Sequence, residues 1–249
     1  MADFPLPRIR TPGVFVTGTD TGVGKTVIAA AIAATLRARG KNVAVLKPVA
    51  TGCVHAREGL VSEDAELLAA ASDTGQPLDL ICPNRYAEPL APSVAARRSG
   101  VPFDDAAVAR SVALAGRVDA WVIEGAGGVL TPIDERRTVR DLIAAFGLPA
   151  IVVARPSLGT INHTLLSIES LRSAGVTVAG VVINGYPTDT PGVAEETAAA
   201  EIERLGRVSV LAIVPQESFN PPRLPPGVLA AIDAVDWHLV PSPGTPGEG

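Results

Sequence analysis

The sequence predicts an α/β fold: a single domain built as a doubly wound, mostly parallel sheet with helices on both faces. Three observations carry it. Short apolar, β-branched runs recur, and they are continuous rather than alternating, as strands buried on both faces require. Each run is followed by a longer helical pattern, and strand alternating with helix implies parallel pairing through crossovers. Glycine-rich and polar segments then fall where the strands end, at 18–26, 47–52, 124–128, 157–163 and Asn184. Ligands of open α/β sheets bind outside the carboxyl ends of the strands, and a purely structural chain has no reason to gather such residues there.

In chain order, residues 13–17 form the first strand and lead through a glycine-rich turn into a helix over 25–39, which Gly40 stops. A second strand covers 42–47. Ser62 opens a helix over 63–71, and another covers 104–115. Strands at 120–123 and 150–154 flank a helix at 139–145. A helix over 162–174 stops at Gly175 and precedes a strand at 178–183. A helix at 193–205, a strand at 208–214 and a helix at 227–233 complete the series. Residues 1–240 make one domain, with a flexible lead over 1–12. The Pro-, Gly- and Ser-rich segment 241–249 has the composition of a disordered tail.

The bulk properties exclude several classes of function. With 249 residues, 47% of them hydrophobic, the chain can bury one sizeable core. A net charge of −5 without a long basic run argues against nucleic acid. No apolar run reaches the length of a membrane span, and the N-terminus lacks the apolar core of a secretory signal. Cys53 and Cys82 have no metal-type spacing and suit a reducing compartment, so a cytoplasmic location is expected. His55, His163 and His238 have no metal spacing either; His163 reads as structural and Cys53 as a small neutral side chain.

The segment Gly18-Thr19-Asp20-Thr21-Gly22-Val23-Gly24-Lys25-Thr26 joins a strand to a helix start. Its N–H groups can wrap a polyphosphate, and the helix N-terminus adds donors and a favourable dipole. Lys25 would meet the β- and γ-phosphates, and the Thr26 hydroxyl would ligate Mg²⁺. Five residues separate Gly18 from Gly24, one more than in the usual P-loop, so this is a variant of the motif. The alternative is an ordinary glycine-rich turn, which the strand and helix on either side disfavour.

Glu124 ends a core strand beside that loop and precedes Gly125-Ala126-Gly127-Gly128. Mg²⁺ takes oxygen ligands and keeps several waters, so one or two carboxylates suffice. A cap or turn glutamate accounts for Glu124 equally well. Asp64, within Ser62-Glu63-Asp64-Ala65-Glu66, reads first as part of a capped helix start, with Glu63 as a competitor for any metal role. Lys47 follows the second strand; burial there would demand an anionic partner, unless its stem snorkels to the surface. Thr51 either donates to the same anion or makes a turn.

Together these residues resemble the dethiobiotin synthetase family of P-loop ATPases. The resemblance is carried by 16–26 (VTGTDTGVGKT), 47–52 (KPVATG), 87–92 (AEPLAP), 124–128 (EGAGG) and 158–163 (LGTINH), in family order over most of 13–215. KPVATG and LGTINH are not general to P-loop proteins, and the five-residue loop spacing is the family's own variant.

The resemblance implies a P-loop NTPase fold and a ligase acting on 7,8-diaminononanoate, CO₂ (or bicarbonate) and ATP to give dethiobiotin, ADP and phosphate. It implies nucleotide contacts from Thr21, Gly22, Val23, Gly24, Lys25, Thr26, Glu124, Gly127, Asn184 and Pro215. It implies catalytic roles for Lys25, Lys47 and Thr51, and Mg²⁺ held by Thr26, Asp64 and Glu124. Substrate contacts would come from Thr21, Lys47, Thr51, Gly128 and the segment Gly159-Thr160-Ile161-Asn162, the last acting across a homodimer. From the residues alone, Asn162 is equally a helix N-cap, and Asn184 a turn residue after a strand.

Gly22 stands where some members of that family carry Glu, and the region after Pro215 matches poorly. Partition-type ATPases, the main rival class, carry an extra lysine early in the phosphate loop. This chain has none between Met1 and Val23. An amide synthase of cobyrinate type needs an ammonia source for which no length remains. A nucleotide-binding relic is the third rival, opposed by the presence of Lys25, Thr26, Lys47 and Glu124.

Overall fold

The computed structural model describes residues 5–57 and 59–237; the expected tail at 241–249 lies outside them. The chain runs β1 (Gly13–Gly18), α1 (Lys25–Ala38), β2 (Val43–Leu46), β3 (Val49–Thr51), β4 (Val54–Ala56), β5 (Gly59–Val61), α2 (Glu63–Ser72), α3 (Leu78–Ile81), β6 (Asn84–Tyr86), α4 (Pro92–Ser99) and α5 (Asp105–Leu114). It continues through β7 (Ala120–Glu124), α6 (Val139–Phe146), β8 (Ala150–Ala154), α7 (Thr160–Ser173), β9 (Val178–Tyr186), α8 (Val193–Gly206), β10 (Val210–Pro215) and α9 (Pro226–Asp233).

Six strands form one sheet in the order β10-β9-β8-β1-β7-β2, all neighbours parallel. The continuous apolar runs explain why helices cover both faces. Along β1, Val14 and Val16 enter one core while Phe15 enters the other; along β7, Val122 parts in the same way from Trp121 and Ile123. One core joins these residues to Ile28 and Ile32 of α1, Leu68 of α2 and Ile232 of α9. The other joins them to Leu142 and Phe146 of α6, Leu171 of α7 and Ile202 of α8. Phe15 meets Phe146 with ring centroids 6.2 Å apart.

β1 lies between β8 and β7, so the chain leaves β1 over one face to β2 and must later insert β7 between them. That reversal opens a crevice at the strands' carboxyl ends. The predicted strands and helices of the sheet all form, with small shifts at their ends. β9 runs on to Tyr186 because Val214 and Pro215 of β10 pair with it there, so Asn184 lies within a strand and is not a turn residue. α7 starts at Thr160 with Gly159 as its N-cap, two residues earlier than expected, which removes the N-cap role considered for Asn162.

The elements that sequence patterning missed all fall between β2 and α5. β3 and β6 form a short parallel pair, β4 and β5 a hairpin, and α3 and α4 are single short helices. Strands of three residues are too short to display a period. Part of the lead segment is held: Ile9 is buried, and its N–H donates to the Phe146 carbonyl at 2.9 Å.

Candidate active site

The loop after β1 closes tightly on itself. Lys25 Nζ donates to the Asp20 carbonyl at 2.7 Å, and the Thr21 N–H donates to Asp20 Oδ1 at 2.7 Å. Gly24, the N-cap of α1, sits at φ 90, in the left-handed region that glycine adopts without steric cost. A Cβ at Gly24 would collide with the Asn184 side-chain amide, whose Nδ2 donates to the Val23 carbonyl at 2.9 Å. β9 therefore buttresses the loop from below.

Beside the loop, two strand ends and a helix start converge. Lys47 follows β2, Glu124 ends β7, and Thr26 opens the first turn of α1. Lys47 Nζ lies 2.7 Å from Glu124 Oε1 and 2.8 Å from Asp64 Oδ2. Thr26 Oγ1 lies 2.8 Å from both Asp64 Oδ1 and Glu124 Oε1. Asp64 reaches them from α2 because Ser62, not Asp64, caps that helix, its hydroxyl accepting from the Ala65 N–H. The competitor Glu63 lines the same cleft without entering this cluster. Lys47 and Glu124 are 3% and 1% exposed, so neither relies on water for its partners. The anionic partner that burial of Lys47 demanded is thus a pair of carboxylates.

Burial alone would drive the Lys47 ammonium toward neutrality; Glu124 and Asp64 outweigh it and hold its pKa above the usual lysine value. Two carboxylates compete for this one ammonium. Burial raises the enclosed Glu124 against the pull of Lys47. Asp64 also meets a burial penalty, but the Lys47 charge and its hydrogen bonds bring it below the usual carboxylate value. Burial lowers Lys25 to about 8, with Glu124 opposing the shift.

The cluster fits a hard cation. A hydroxyl has one proton and cannot donate to two carboxylates at once. Glu124 Oε2 is buried without a hydrogen-bond partner. Crowded oxygens of Thr26, Asp64 and Glu124, one of them orphaned, make the donor set that Mg²⁺ selects. Among the described residues no three His, Cys, Asp or Glu are placed to hold a metal ion together, and two carboxylates suffice for a metal that also takes phosphate and water.

These residues line a cleft of about 800 Å³. Of the residues expected from sequence, Thr21, Gly22, Gly24, Lys25, Thr26, Lys47, Thr51, Asp64, Glu124 and Gly127 line it. Val23 is buried behind the loop, and Asn184 touches the loop from outside the cleft. Pro215 ends β10 beside Gly227. The Gly128 N–H donates to Thr131 Oγ1 at 2.8 Å. Gly159, Thr160, Ile161 and Asn162 lie at the start of α7, outside this cleft, next to Leu158, which is 90% exposed. His163 is exposed, while both thiols are buried and unpaired. Sequence reasoning assigned no role to Pro89–Pro92 or Thr131, which complete the cleft wall. The AEPLAP segment was the available signal for the first of these.

A glycine loop between a central parallel strand and a helix, with lysine, hydroxyl and carboxylate at its mouth, defines a P-loop NTPase-type enzyme. Solved structures agree on the fold. MinD from Pyrococcus horikoshii, complexed with Mg-ADP, matches with a TM-score of 0.53 and 16% identity, over 89% of this chain and 86% of that one. The cell division protein FtsY from Thermotoga maritima matches with a TM-score of 0.51 and 18% identity, over 94% and 72%.

The AAA domain family matches residues 12–220. Among sequence relatives, the ATP-dependent dethiobiotin synthetase BioD of Anaeromyxobacter dehalogenans is 48% identical over 82% of this chain and 90% of its own length. The protein of that name from Bacillus velezensis is 40% identical over 81% and 85%. The chain belongs to the ATP-dependent dethiobiotin synthetase family.

Proposed function

We propose that this chain is an ATP-dependent dethiobiotin synthase, a cyclo-ligase of biotin biosynthesis. The observation that carries the reading is the convergence of Lys25, Thr26, Lys47, Asp64 and Glu124 in one cleft beside the phosphate loop. The substrates are 7,8-diaminononanoate, CO₂ and ATP. One amine captures CO₂ as a carbamate, and a carbamate oxygen attacks the γ-phosphorus, releasing ADP and leaving a carbamic–phosphoric anhydride. The second amine then attacks the carbamoyl carbon, closes the ureido ring and expels phosphate.

Such chemistry asks for positioning and charge neutralisation more than for covalent help. Lys25 neutralises the phosphates from the helix start. Lys47, held charged by its two carboxylates, faces the carbamate and the transferring phosphoryl group. Thr21 and Thr51, both in the cleft lining, hydrogen-bond to the same anions, and Gly127 lets backbone approach the nucleotide. Thr26, Asp64 and Glu124 would hold Mg²⁺, which would supply charge neutralisation for the phosphates. Asn184 and Pro215 reach the base beyond the loop.

The segment Gly159-Thr160-Ile161-Asn162 opens a 14-residue helix, and the positive end of its dipole suits a carboxylate. Its place outside the cleft supports a role toward a second copy of the chain, with Leu158 offered for contact. A homodimer with the diamine's acid tail bound across the interface is the proposed assembly, tested by sedimentation of the wild type and a Leu158→Asp variant. The proposed location is the cytoplasm, which two buried, unpaired thiols support.

The deciding assay is phosphate release from MgATP and bicarbonate, with and without 7,8-diaminononanoate, with the product weighed by mass spectrometry. Diamine-dependent release with dethiobiotin formed is expected. Release indifferent to the diamine would discard the reading in favour of a switch ATPase.

A further inference from the structure

We infer that Arg155 is a positioning residue for the phosphate loop: by gripping the Thr21 carbonyl from outside the cleft, it turns the Gly22 N–H toward the phosphates of the nucleotide. The inference rests on the proposed use of this loop for ATP.

Arg155 follows β8, the strand on the other side of β1 from the carboxylate cluster. Its Nη2 donates to the Thr21 carbonyl at 2.7 Å and lies 3.5 Å from Asp20 Oδ2. Thr21 and Gly22 line the cleft and Arg155 does not, so the guanidinium holds the loop from behind. A trans peptide is planar, with its C=O and N–H on opposite sides. Drawing the Thr21 carbonyl toward Arg155 therefore sends the Gly22 N–H to the cleft side.

Gly22 makes this restraint matter. It sits at φ 73, the left-handed conformation that occurs where successive N–H groups form an anion-binding nest. Glycine also populates the opposite region as readily, so its conformation has to be imposed from outside. Among the described residues, its chain neighbours aside, the Arg155 guanidinium is the one group within 4 Å of its Cβ position, at 3.9 Å. The preceding peptide is restrained separately, because Lys25 holds the Asp20 carbonyl. Two adjacent peptides of the loop are thus fixed by two cations, lysine on the inner side and arginine on the outer. Arg155 also begins the connection that carries 159–162, so the same contact ties the phosphate loop to the start of α7.

Binding of ADP and of ATP, with and without Mg²⁺, is measured by titration calorimetry on the full-length wild type, Arg155→Ala and Arg155→Lys. Steady-state kcat and KM follow from the phosphate-release assay. Arg155→Ala is expected to weaken nucleotide binding roughly tenfold, the scale of one charge-assisted hydrogen bond at a half-exposed group. KM for ATP should rise in step while KM for the diamine stays within about twofold. Arg155→Lys should recover part of the affinity, because an ammonium can still donate to the Thr21 carbonyl. Added ethylguanidinium should do the same for the Ala variant. Unchanged nucleotide affinity in Arg155→Ala would overturn the inference. So would a loss that neither lysine nor ethylguanidinium recovers and that accompanies a matching fall in Tm, since that is mere scaffolding. A wild type that binds nucleotide but forms no dethiobiotin would sink the synthase reading while leaving the calorimetric comparison valid.

Discussion

The Lys47 ammonium rests 2.7 Å from Glu124 Oε1, joining the carboxyl end of β2 to that of β7 across 77 residues of chain. Both groups are buried, and Asp64 closes the third side of the contact at 2.8 Å. One ammonium serves two carboxylates, so the cluster carries a negative excess that a metal would relieve and positive charge on the phosphate loop partly offsets.

Removing that ammonium should affect both chemistry and stability. Lys47→Ala is expected to lower kcat at least about a hundredfold, the usual scale for losing one preorganised electrostatic contact. It should also cost about 3–5 kcal/mol, because Glu124 is left as an uncompensated buried charge. Adding Glu124→Gln should restore part of the stability and none of the turnover. Phosphate release and urea unfolding read the two effects, and turnover like that of the wild type would remove Lys47 from the mechanism.

Thr26→Val keeps the shape of the side chain and deletes the oxygen that faces Asp64 and Glu124. The Mg²⁺ concentration that half-saturates turnover should rise about tenfold or more. ADP binding without metal should change little. A Mg²⁺ titration that superimposes on that of the wild type would place the ion elsewhere.

Gly24→Ala forces a Cβ onto a left-handed residue and into the Asn184 amide. The backbone part alone costs about 1–2 kcal/mol. Because the collision is with one side chain, Gly24→Ala combined with Asn184→Ala should lose less stability than the sum of the single losses. Strict additivity in thermal unfolding would show that the two sites do not press on each other.

Arg137 offers a pH-dependent test away from the cleft. Its guanidinium forks onto Asp105 at 3.0 Å and meets Asp134 at 2.6 Å. Burial opposes ionisation of Asp134, but the Arg137 side chain and two backbone N–H groups win and hold its pKa below the usual value. A depressed folded pKa contributes stability above the unfolded value of about 3.9, and that stability is lost as pH falls through the folded pKa. Arg137→Gln should therefore be less stable than wild type by about 1 kcal/mol near neutrality. The gap should narrow below about pH 4, as Asp134 takes up its proton. Urea unfolding at a series of pH values measures it, and a gap that widened on acidification would contradict the assignment.

The parallel sheet, its flanking helices and the phosphate loop were legible from sequence because each is a local signal. Apolar runs such as Ala150–Ala154 declare themselves within a few residues. The loop from Gly18 to Thr26 carries its glycines, lysine and hydroxyl in one stretch. The candidate site was legible as separate parts: Lys47, Asp64 and Glu124 each had an ordinary explanation where they stood. Only the tertiary structure brought them together, because it inserts β7 between β1 and β2 and so sets Thr26 against Glu124 across 98 residues. It also set Arg155 behind Thr21, turned Gly128 toward Thr131 and left the start of α7 outside the cleft. None of these follows from local pattern, because strand order and crossover path fix which strand ends meet, and a residue's neighbours in sequence say nothing about them.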